Sequence, residues 1–461
     1  MPKKKTALTI EERLQQALVP AEEQPYEVPE NWVWVRLGSL ADVKGGKRLP
    51  KGNTFSEKIT KHPYIRVTDF DDSGVSLDAL KYIDEEVFEK ISRYTISSED
   101  IYVSIAGSIG KVGIIPSCID GANLTENAAK LTNIKGINQK ALCLFLKSEF
   151  AQFQMQSATI STTQSKLALF RIESLFFPLP PLSEQQRIVE RIEELFAKLD
   201  EAKERLQEVV DSFAVRKAAI LHKAFTGELT KQWRLENGVS DESWEEKKGE
   251  DFFEYVTSGS RGWAKYYSDK GCIFVRMGNL NHGTIELDFS DIQYVELPDQ
   301  VEGQRSKLQK NDILISITAD VGMIGLVRED IDAYINQHVA LARPKKDLYA
   351  EFLAWYFVSD VGLQQMQNKQ RGATKIGLGL QDIRSIILKI PTLPEQHEIV
   401  RLIDDLLARE RSAQQAAEQA LASIDLMKKS ILARAFRGEL GTNKASEASA
   451  VELLKQLLAE N

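Results

Sequence analysis

An internal repeat with an offset of 211 residues constrains the fold of this chain more than any other feature. Ala-Phe-Thr-Gly-Glu-Leu at 224–229 returns as Ala-Phe-Arg-Gly-Glu-Leu at 435–440, and Pro-Pro-Leu-Ser-Glu-Gln at 180–185 returns as Pro-Thr-Leu-Pro-Glu-Gln at 391–396. Solenoid repeats are only about 20–50 residues long, so this period indicates a duplicated domain. The 461 residues therefore form two related halves.

Each half joins two kinds of sequence. The first part mixes short β-rich runs with Gly, Asn and Asp turns, and the segments 101–105 and 313–317 are typical of buried strands. The second part is long, charged and free of glycine, at 184–223 and 395–434. Ser183 and Gln186 have capping-box spacing, which predicts that the first long helix begins there. We expect an α+β chain with two mixed α/β domains in pseudo-two-fold repeat, separated by two long helices.

Apolar residues along both long segments recur in alternating steps of four and three, which is typical of coiled-coil helices. The duplication favours an antiparallel coiled coil between the two helices of this chain, although each helix could instead pack on its own domain. Arg216 and Glu410 interrupt the apolar pattern. The predicted interface residues are Ile188, Ile192, Leu195, Leu199, Leu206, Phe213, Ile220, Ile399, Ile403, Leu406, Ala413, Ala417, Ile424, Met427 and Ile431.

The sequence contains no recognisable catalytic or metal-binding motif. Gly107 to Lys111 resembles a phosphate loop only in part, because the first glycine and the final Ser or Thr are missing. The three scattered cysteines indicate neither a disulfide framework nor a zinc site. No apolar run approaches the ~20 residues of a membrane span. We therefore expect a non-catalytic, cytoplasmic protein without a metal site or a membrane partner.

Local charge is more informative than the net charge of −8. Between Val43 and Arg66 there are seven basic residues and one acid, and between Val256 and Arg276 there are four basic residues and one acid, with aromatic residues interleaved. Basic loops with neighbouring aromatic and amide groups suit nucleic-acid binding, and a solvated basic surface is the alternative. Two polar segments, 161–166 and 371–375, precede the long helices. The candidate DNA-binding residues are Lys44, Lys47, Arg48, Lys51, Lys58, Lys61, Arg66, Thr163, Gln164, Lys166, Arg261, Trp263, Lys265, Tyr266, Tyr267, Arg276, Arg371, Thr374 and Lys375.

These motifs together resemble the specificity subunit of type I restriction-modification systems. The resemblance rests on Pro-Leu-Pro-Pro-Leu-Ser-Glu-Gln-Gln-Arg-Ile-Val at 178–189, its second copy at 391–400, the two Ala-Phe-x-Gly-Glu-Leu ends, and Val-Pro-Glu-Asn-Trp at 28–32. It implies two target recognition domains, each reading one half of a bipartite, asymmetric double-stranded DNA target. It also implies that the coiled coil sets the gap and docks two methyltransferase subunits, which restriction endonuclease-translocase subunits then join. S-adenosylmethionine, ATP and Mg²⁺ would belong to those partner subunits.

The expected domain organisation follows from the repeat and the resemblance. It comprises an N-terminal arm with a short helix (1–31), target recognition domain 1 (32–179), long helix 1 (180–229), a linker (230–243), target recognition domain 2 (244–390), long helix 2 (391–440) and a C-terminal tail helix (441–461). Two other functions remain open from the sequence. One is a coiled-coil scaffold that binds only proteins, and the other is a DNA-specificity subunit of a fused nuclease-methyltransferase system.

Overall fold

The computed structural model describes residues 9–71, 74–159, 165–298, 303–371 and 377–459. The chain divides into two compact units, one formed by Met1–Arg205 with Ala420–Asn461 and the other by Leu206–Gln419. Each unit therefore combines one α/β domain with parts of both long helices. Within the described ranges, no helix has both the length and the apolar content needed to cross a membrane.

The first repeat contains seventeen helices and strands in its described residues. They are α1 (Ile10–Ala17), β1 (Val33–Arg36), β2 (Asp42–Gly45), β3 (Pro63–Ile65), β4 (Lys81–Tyr82), α2 (Glu85–Ile91), β5 (Thr95–Ile96), β6 (Ile101–Ser104), β7 (Val112–Gly113), β8 (Ala122–Leu124), β9 (Ala128–Thr132), α3 (Gln139–Leu146), α4 (Glu149–Ser157), α5 (Leu169–Glu173), β10 (Phe176–Leu179), α6 (Leu182–Asp211) and α7 (Phe213–Phe225).

The second repeat follows a closely similar order. Its elements are α8 (Lys231–Asn237), β11 (Glu245–Lys248), α9 (Gly249–Phe252), β12 (Phe253–Ser258), β13 (Tyr267–Ser268), β14 (Cys272–Val275), β15 (Tyr294–Val295), β16 (Ile313–Ser316), β17 (Ile324–Leu326), β18 (Ala333–Ile335), β19 (Val339–Pro344), α10 (Ala350–Val358), α11 (Asp360–Asn368), α12 (Leu380–Arg384), β20 (Ile387–Ile390), α13 (Leu393–Ala435) and α14 (Ala450–Ala459).

The two domains have matching sheets, which confirms the predicted duplication of a mixed α/β fold. The first domain has four-stranded sheets of order β2-β9-β6-β7 and β4-β3-β8-β5 and the pair β1-β10. The second has the orders β12-β19-β16-β17 and β13-β15-β14-β18 and the pair β11-β20. The predicted central strands β6 and β16 are buried at all four positions, as expected for apolar, β-branched runs.

The two long helices exist, but their starts differ from the prediction. Helix α6 begins at Leu182, and the carbonyl oxygen of Pro181 accepts the first backbone bonds, so the predicted cap at Ser183 is wrong. The first helix is also interrupted at Ser212, whose hydroxyl donates to the carbonyl oxygen of Val209 at 3.0 Å. Such back-bonding bends helices. Helix α13 is continuous over 43 residues.

Antiparallel contacts between the two helices occur within each unit. In the first unit, Glu184 at the start of α6 accepts from Thr442, which follows α13, and Asp200 further along α6 pairs with Lys428 of α13. In the second unit, Arg216 of α7 pairs with Glu410 of α13, and Thr230 after α7 donates to Glu395 at the start of α13. In both units, the residue number of the contact partner decreases as the residue number along the first helix increases, so the two helices run antiparallel.

The predicted apolar stripe is largely buried or half-buried along α6 and α7, but its phase is partly wrong in α13. Ile399, Ile403, Ala417 and Ile424 are buried, and Leu406 and Ile431 are half-buried. The exposed positions are Ala413 and Met427, the latter 48% exposed. The buried or half-buried side of the helix passes instead through Leu407, Gln414, Leu421 and Lys428.

The two charged residues that interrupt the apolar pattern are partners. Arg216 Nε lies 2.6 Å from Glu410 Oε2, and both side chains are partly buried. Opposite charges at facing seam positions favour one alignment of two helices over its neighbours, because a shifted alignment would leave each charge against apolar groups. This pair therefore helps to fix the helix register in the second unit.

The repeated Ala-Phe-x-Gly-Glu-Leu motif anchors the end of each long helix in a domain core. Phe436, from the second repeat, packs against Phe145 of the first domain with ring centroids 5.2 Å apart. Phe225, from the first repeat, packs against Phe352 of the second domain at 5.4 Å. The glycines that follow, Gly227 and Gly438, have φ values of 80° and 76°, the left-handed conformation that ends helices. Each domain core thus receives its phenylalanine from the other repeat.

The repeated Glu-Gln pair at the start of each long helix is a buried hydrogen-bonding centre. Glu184 is fully buried and accepts from Trp32 Nε1 at 2.7 Å, Asn443 Nδ2 at 2.7 Å and the Thr442 hydroxyl at 3.1 Å. The equivalent Glu395 accepts from the Thr230 hydroxyl and from Arg234 Nη1, each at 2.7 Å. Burying a carboxylate is unfavourable unless such donors surround it.

The glutamine of each pair closes the adjoining loops. Gln185 Nε2 donates to the carbonyl oxygens of Pro180 and Gly136, and its Oε1 accepts from the Asn138 amide at 2.7 Å. Gln396 repeats this with Pro391 and the Tyr349 amide, both at 2.9 Å. The two copies of the motif therefore make equivalent backbone contacts.

The terminal segments and the predicted linker also contain helices. The capping box predicted from Thr9 and Glu12 is present at the start of α1. The C-terminal segment contains α14, which contacts α1. The segment 230–243 contains α8, and its Arg234 is only 6% exposed, because it pairs with Glu395.

Replacing Glu184 with Ala should lower the free energy of unfolding by about 3 kcal/mol, because three buried or half-buried donors lose a charged acceptor. The measurement is denaturant unfolding followed by tryptophan fluorescence. Glu190→Ala, on the exposed side of the same helix, is the matched control and should change stability by less than about 0.5 kcal/mol. Equal effects of the two substitutions would contradict the role assigned to Glu184.

Candidate nucleic-acid interface

A cleft of about 650 Å³ in the first domain contains the main candidates from its basic stretch. We call it cleft 1. It lies where the chain leaves β2, beside the connection between β8 and β9. Its lining residues are Gly45, Gly46, Lys47, Arg48, Ile105, Glu126, Lys166, Leu167, Ala168 and Leu169.

Close backbone packing fixes the floor of cleft 1. The Gly46 amide donates to the carbonyl oxygen of Ala128 at 3.0 Å, and the Lys47 amide donates to that of Leu124 at 2.8 Å. A Cβ atom on Gly46 would overlap the carbonyl oxygens of Leu124 and Thr125, so glycine is required there. The exposed side chains that follow therefore start from a rigid strand edge.

Cations dominate the rim of cleft 1. Lys47 and Lys166 are exposed, and the Arg48 side chain is 76% exposed. Arg48 Nε lies 3.3 Å from Glu126 Oε1, the only carboxylate that lines the cleft among the described residues. The hydroxyl of Tyr64 donates to the carbonyl oxygen of Lys47 at 2.7 Å, and burial raises the pKa of Tyr64 to about 12, so this donor stays protonated at neutral pH. The arrangement suits an anionic ligand.

The second domain has a cleft of about 630 Å³ at the equivalent place. We call it cleft 2. It lies where the chain leaves β12, beside the connection between β18 and β19. Its lining residues are Ser258, Gly259, Ser260, Arg261, Gly262, Trp263, Lys265, Tyr266, Pro298, Arg305 and Gln337.

The floor of cleft 2 has the same construction and a different lining. A Cβ atom on Gly259 would overlap the carbonyl oxygens of Ile335 and Asn336, which is the equivalent of the Gly46 contact. Arg261, Lys265 and Arg305 supply the positive charge, and no carboxylate lines the cleft among the described residues. Arg305 Nε donates to the Thr257 hydroxyl at 3.3 Å. The two clefts therefore share a scaffold and a sign of charge, and they differ in their side chains.

Several predicted residues of the first domain lie outside cleft 1. Lys44, Lys51 and Lys58 are exposed, and Lys61 is exposed and pairs with Glu85 at 2.7 Å. Arg66 has a structural role, because its Nε donates at 3.1 Å to the buried carboxylate of Asp69. These residues were predicted to form one site because they are close along the chain, but in the structure they do not all line the same cleft.

The predicted aromatic residues of the second domain occupy different environments. Trp263, predicted to contact DNA, lines cleft 2, but it is only 4% exposed and stacks on Phe274 with ring centroids 5.6 Å apart. It is a core residue because the short turn Trp263–Tyr266 folds inward onto that cluster. Tyr266 is half-buried against the same cluster and lines cleft 2, whereas Tyr267 is 45% exposed and does not line it.

Two further predicted cations hold structural contacts. Arg276 Nη2 donates to Asp291 Oδ2 at 2.8 Å, at the position equivalent to Arg66. Arg371 is 82% exposed and pairs with Asp382 at 2.9 Å. Four other predicted residues, Thr163, Gln164, Thr374 and Lys375, lie outside the described residues.

The lining residues that the sequence did not predict include Glu126, Arg305 and Gln337, which carry long polar or charged side chains. Glu126 and Gln337 lie in polar tripeptides, Thr-Glu-Asn and Asn-Gln-His, each between two buried strands of the repeat. That recurring polar interruption was a usable signal. Arg305 had no such signal, because it reaches cleft 2 through a contact with Thr257, which lies 48 residues earlier in the sequence. Among the described residues, no group of three or more His, Cys, Asp or Glu side chains could hold a metal ion.

Comparisons with known proteins agree with this duplicated architecture. The family described as "Type I restriction modification DNA specificity domain" matches residues 29–211 and again residues 241–420. The chain is 27% identical over 454 residues to the type I restriction enzyme EcoBI specificity subunit of Escherichia coli, covering 94% of this chain and 93% of the relative. It is 26% identical over 460 residues to the EcoKI specificity subunit of Escherichia coli strain K12, with coverage of 94% and 96%.

A solved structure shows the same fold. The HsdS subunit of Thermoanaerobacter tengcongensis superimposes with a TM-score of 0.63 at 19% sequence identity, covering 90% of this chain and 99% of that chain. The matched family accounts for both repeats, and each repeat carries one of the two basic clefts. This chain therefore belongs to the family of type I restriction-modification DNA specificity subunits.

Proposed function

We propose that this chain is the sequence-reading subunit of a type I restriction-modification complex and that each cleft binds one half of a bipartite double-stranded DNA target. The observation that carries the proposal is the pair of equivalent, cation-lined clefts whose side chains differ. Identical linings would read the same half-site twice. Different linings on one scaffold suit an asymmetric target.

The charge of the clefts fits the phosphate backbone of DNA. Lys47, Arg48 and Lys166 in cleft 1 can neutralise phosphates, and the backbone bonds of Gly46 and Lys47 hold the first two at a fixed strand edge. Phosphate contacts supply affinity and position a protein on the duplex without reading sequence. A net negative chain can therefore bind DNA, because the local field at the clefts is positive.

The long helices offer two equivalent surfaces for a protein partner. Leu182 and Leu393 are 54% and 41% exposed, and Val215 and Leu426 are 70% and 65% exposed. Each pair is related by the repeat offset of 211 residues. Large apolar side chains that remain exposed at repeated positions favour docking of two copies of one partner. We assign these positions to two methyltransferase subunits, which restriction endonuclease-translocase subunits then join.

The proposed division of labour leaves the chemistry to the partners. Methyl transfer, cleavage and translocation, with S-adenosylmethionine, ATP and Mg²⁺, are assigned to the partner subunits. This chain would select the DNA and hold those subunits. The similarity to relatives that are named specificity subunits, over 93% and 96% of their lengths, supports this reading over a scaffold that binds only proteins.

Replacing Lys47, Arg48 and Lys166 together with Ala should weaken DNA binding through the first half-site and leave the base preference of the second half-site unchanged. Three lost phosphate contacts should reduce the slope of log affinity against log salt by about 3. The measurement is fluorescence anisotropy of labelled duplexes over a salt series, with each half-site scrambled in turn.

A matched control removes the same charge elsewhere in the first domain. Lys81, Lys90 and Arg93 are exposed and lie outside cleft 1. Their triple replacement with Ala should leave the salt slope within about 1 of the wild type, since long-range effects of exposed charges are screened. An equal loss in both triple variants would contradict cleft 1 as the DNA site.

Val215→Asp and Leu426→Asp should each reduce the number of bound methyltransferase subunits from two to one, and the double variant should bind none. A buried, unpaired carboxylate at an apolar contact is strongly unfavourable. The measurement is native mass spectrometry of the reconstituted complex. Leu235→Asp is the control, because Leu235 is 70% exposed but lies on α8. Two bound subunits in both single variants would exclude these positions from the docking surfaces.

A further inference from the structure

Glu126 and Gln337 occupy the same structural position in the two domains. In the first domain, β3 pairs in parallel with β8 so that Ile65 faces Leu124, and β9 begins four residues later. In the second, β14 pairs in parallel with β18 so that Val275 faces Ile335, and β19 begins four residues later. Glu126 and Gln337 are the central residues of these three-residue connections.

The backbone around both residues is held on two sides. In the first domain, the Thr125 amide donates to the carbonyl oxygen of Ile65 at 3.0 Å, and the Ile105 amide donates to that of Asn127 at 2.8 Å. The second domain repeats these bonds, from Asn336 to Val275 at 3.1 Å and from Ile317 to His338 at 3.0 Å. The Cα atom of a residue on such a connection is held in a fixed position, as the recognition of a base requires.

Both side chains are partly exposed and stand among cations. The Glu126 side chain is 27% exposed, between Arg48 and the Thr125 hydroxyl, which donates to it at 3.1 Å. Gln337 is half-buried, and its Nε2 lies 2.9 Å from His338 Nε2. In its cleft, each of the two residues is the lining residue whose long side chain ends in a carboxylate or amide oxygen, which can accept a hydrogen bond.

The chemistry of the two groups separates them from the surrounding cations. Lys and Arg at a rim can bind any phosphate, but a carboxylate next to phosphates is repelled unless a donor faces it. In the major groove the donors are the amino groups of cytosine and adenine, and glutamate recurrently accepts from cytosine N4. Glutamine has an acceptor oxygen and a donor amide, which match the N6 amino group and the N7 acceptor of adenine respectively.

We propose that Glu126 and Gln337 are base-reading residues, Glu126 accepting a hydrogen bond from a cytosine N4 amino group and Gln337 forming a two-point contact with adenine. The inference rests on the proposed function, which supplies the duplex. The two half-sites would then differ at one base pair each, because the same structural position carries a carboxylate in the first domain and an amide in the second.

The experiment uses the full chain assembled with its methyltransferase partner, selected against a duplex library with randomised positions and read by sequencing. Glu126→Gln should change the preference at one position of the first half-site from cytosine to adenine by about tenfold, since one such contact discriminates by at least that factor. Gln337→Glu should make the converse change in the second half-site only. Glu89→Gln, an exposed residue of α2, is the matched control and should leave both preferences unchanged.

The alternative role for Glu126 is to position Arg48. In that case Glu126→Gln would weaken binding to all sequences equally, as Arg48→Gln should, and the base preference would not move. That result, or a change in both half-sites at once, would overturn the inference. A wild-type complex that selects no sequence at all would instead overturn the proposed function, so the two failures are distinguishable.

Discussion

The buried glutamates at the starts of the long helices are the interaction on which the rest of the fold depends. Glu184 and Glu395 are both fully buried, and each accepts a hydrogen bond from a threonine that follows the helix of the other repeat, Thr442 and Thr230 respectively. A buried carboxylate without donors would be strongly destabilising, so each domain requires both repeats to be in place. The crossed packing of Phe225 and Phe436 adds apolar burial to the same constraint.

Much of the architecture could be predicted, because the internal repeat indicates two copies of one domain. The buried strands and the two long helices follow from apolar periodicity. The phase of α13 was partly wrong because adjacent Leu406 and Leu407 both fit the pattern and the alanines that follow discriminate poorly. The antiparallel partner decides the phase, and it places polar Lys428 against Asp200 where a sequence pattern expects an apolar side chain.

The clefts were harder to predict than the fold. Counting charges identified Lys47 and Arg261, because clusters of basic residues in glycine-containing segments can be recognised in the sequence alone. The same approach also selected Trp263, which is buried in the structure. It missed Glu126 and Gln337, because parallel strand pairing brings them to the clefts from distant sequence. Base-reading groups are few and need not be basic, so a count of basic residues does not detect them.

We propose that two different clefts on one duplicated scaffold read two different half-sites of a DNA target. The most direct test is to sequence the DNA that the wild-type chain, assembled with its methyltransferase partner, selects from a fully randomised duplex library. We expect one motif with two unlike specified halves at a constant separation. A motif with two identical halves, a single continuous motif, or halves at variable separation would contradict this proposal.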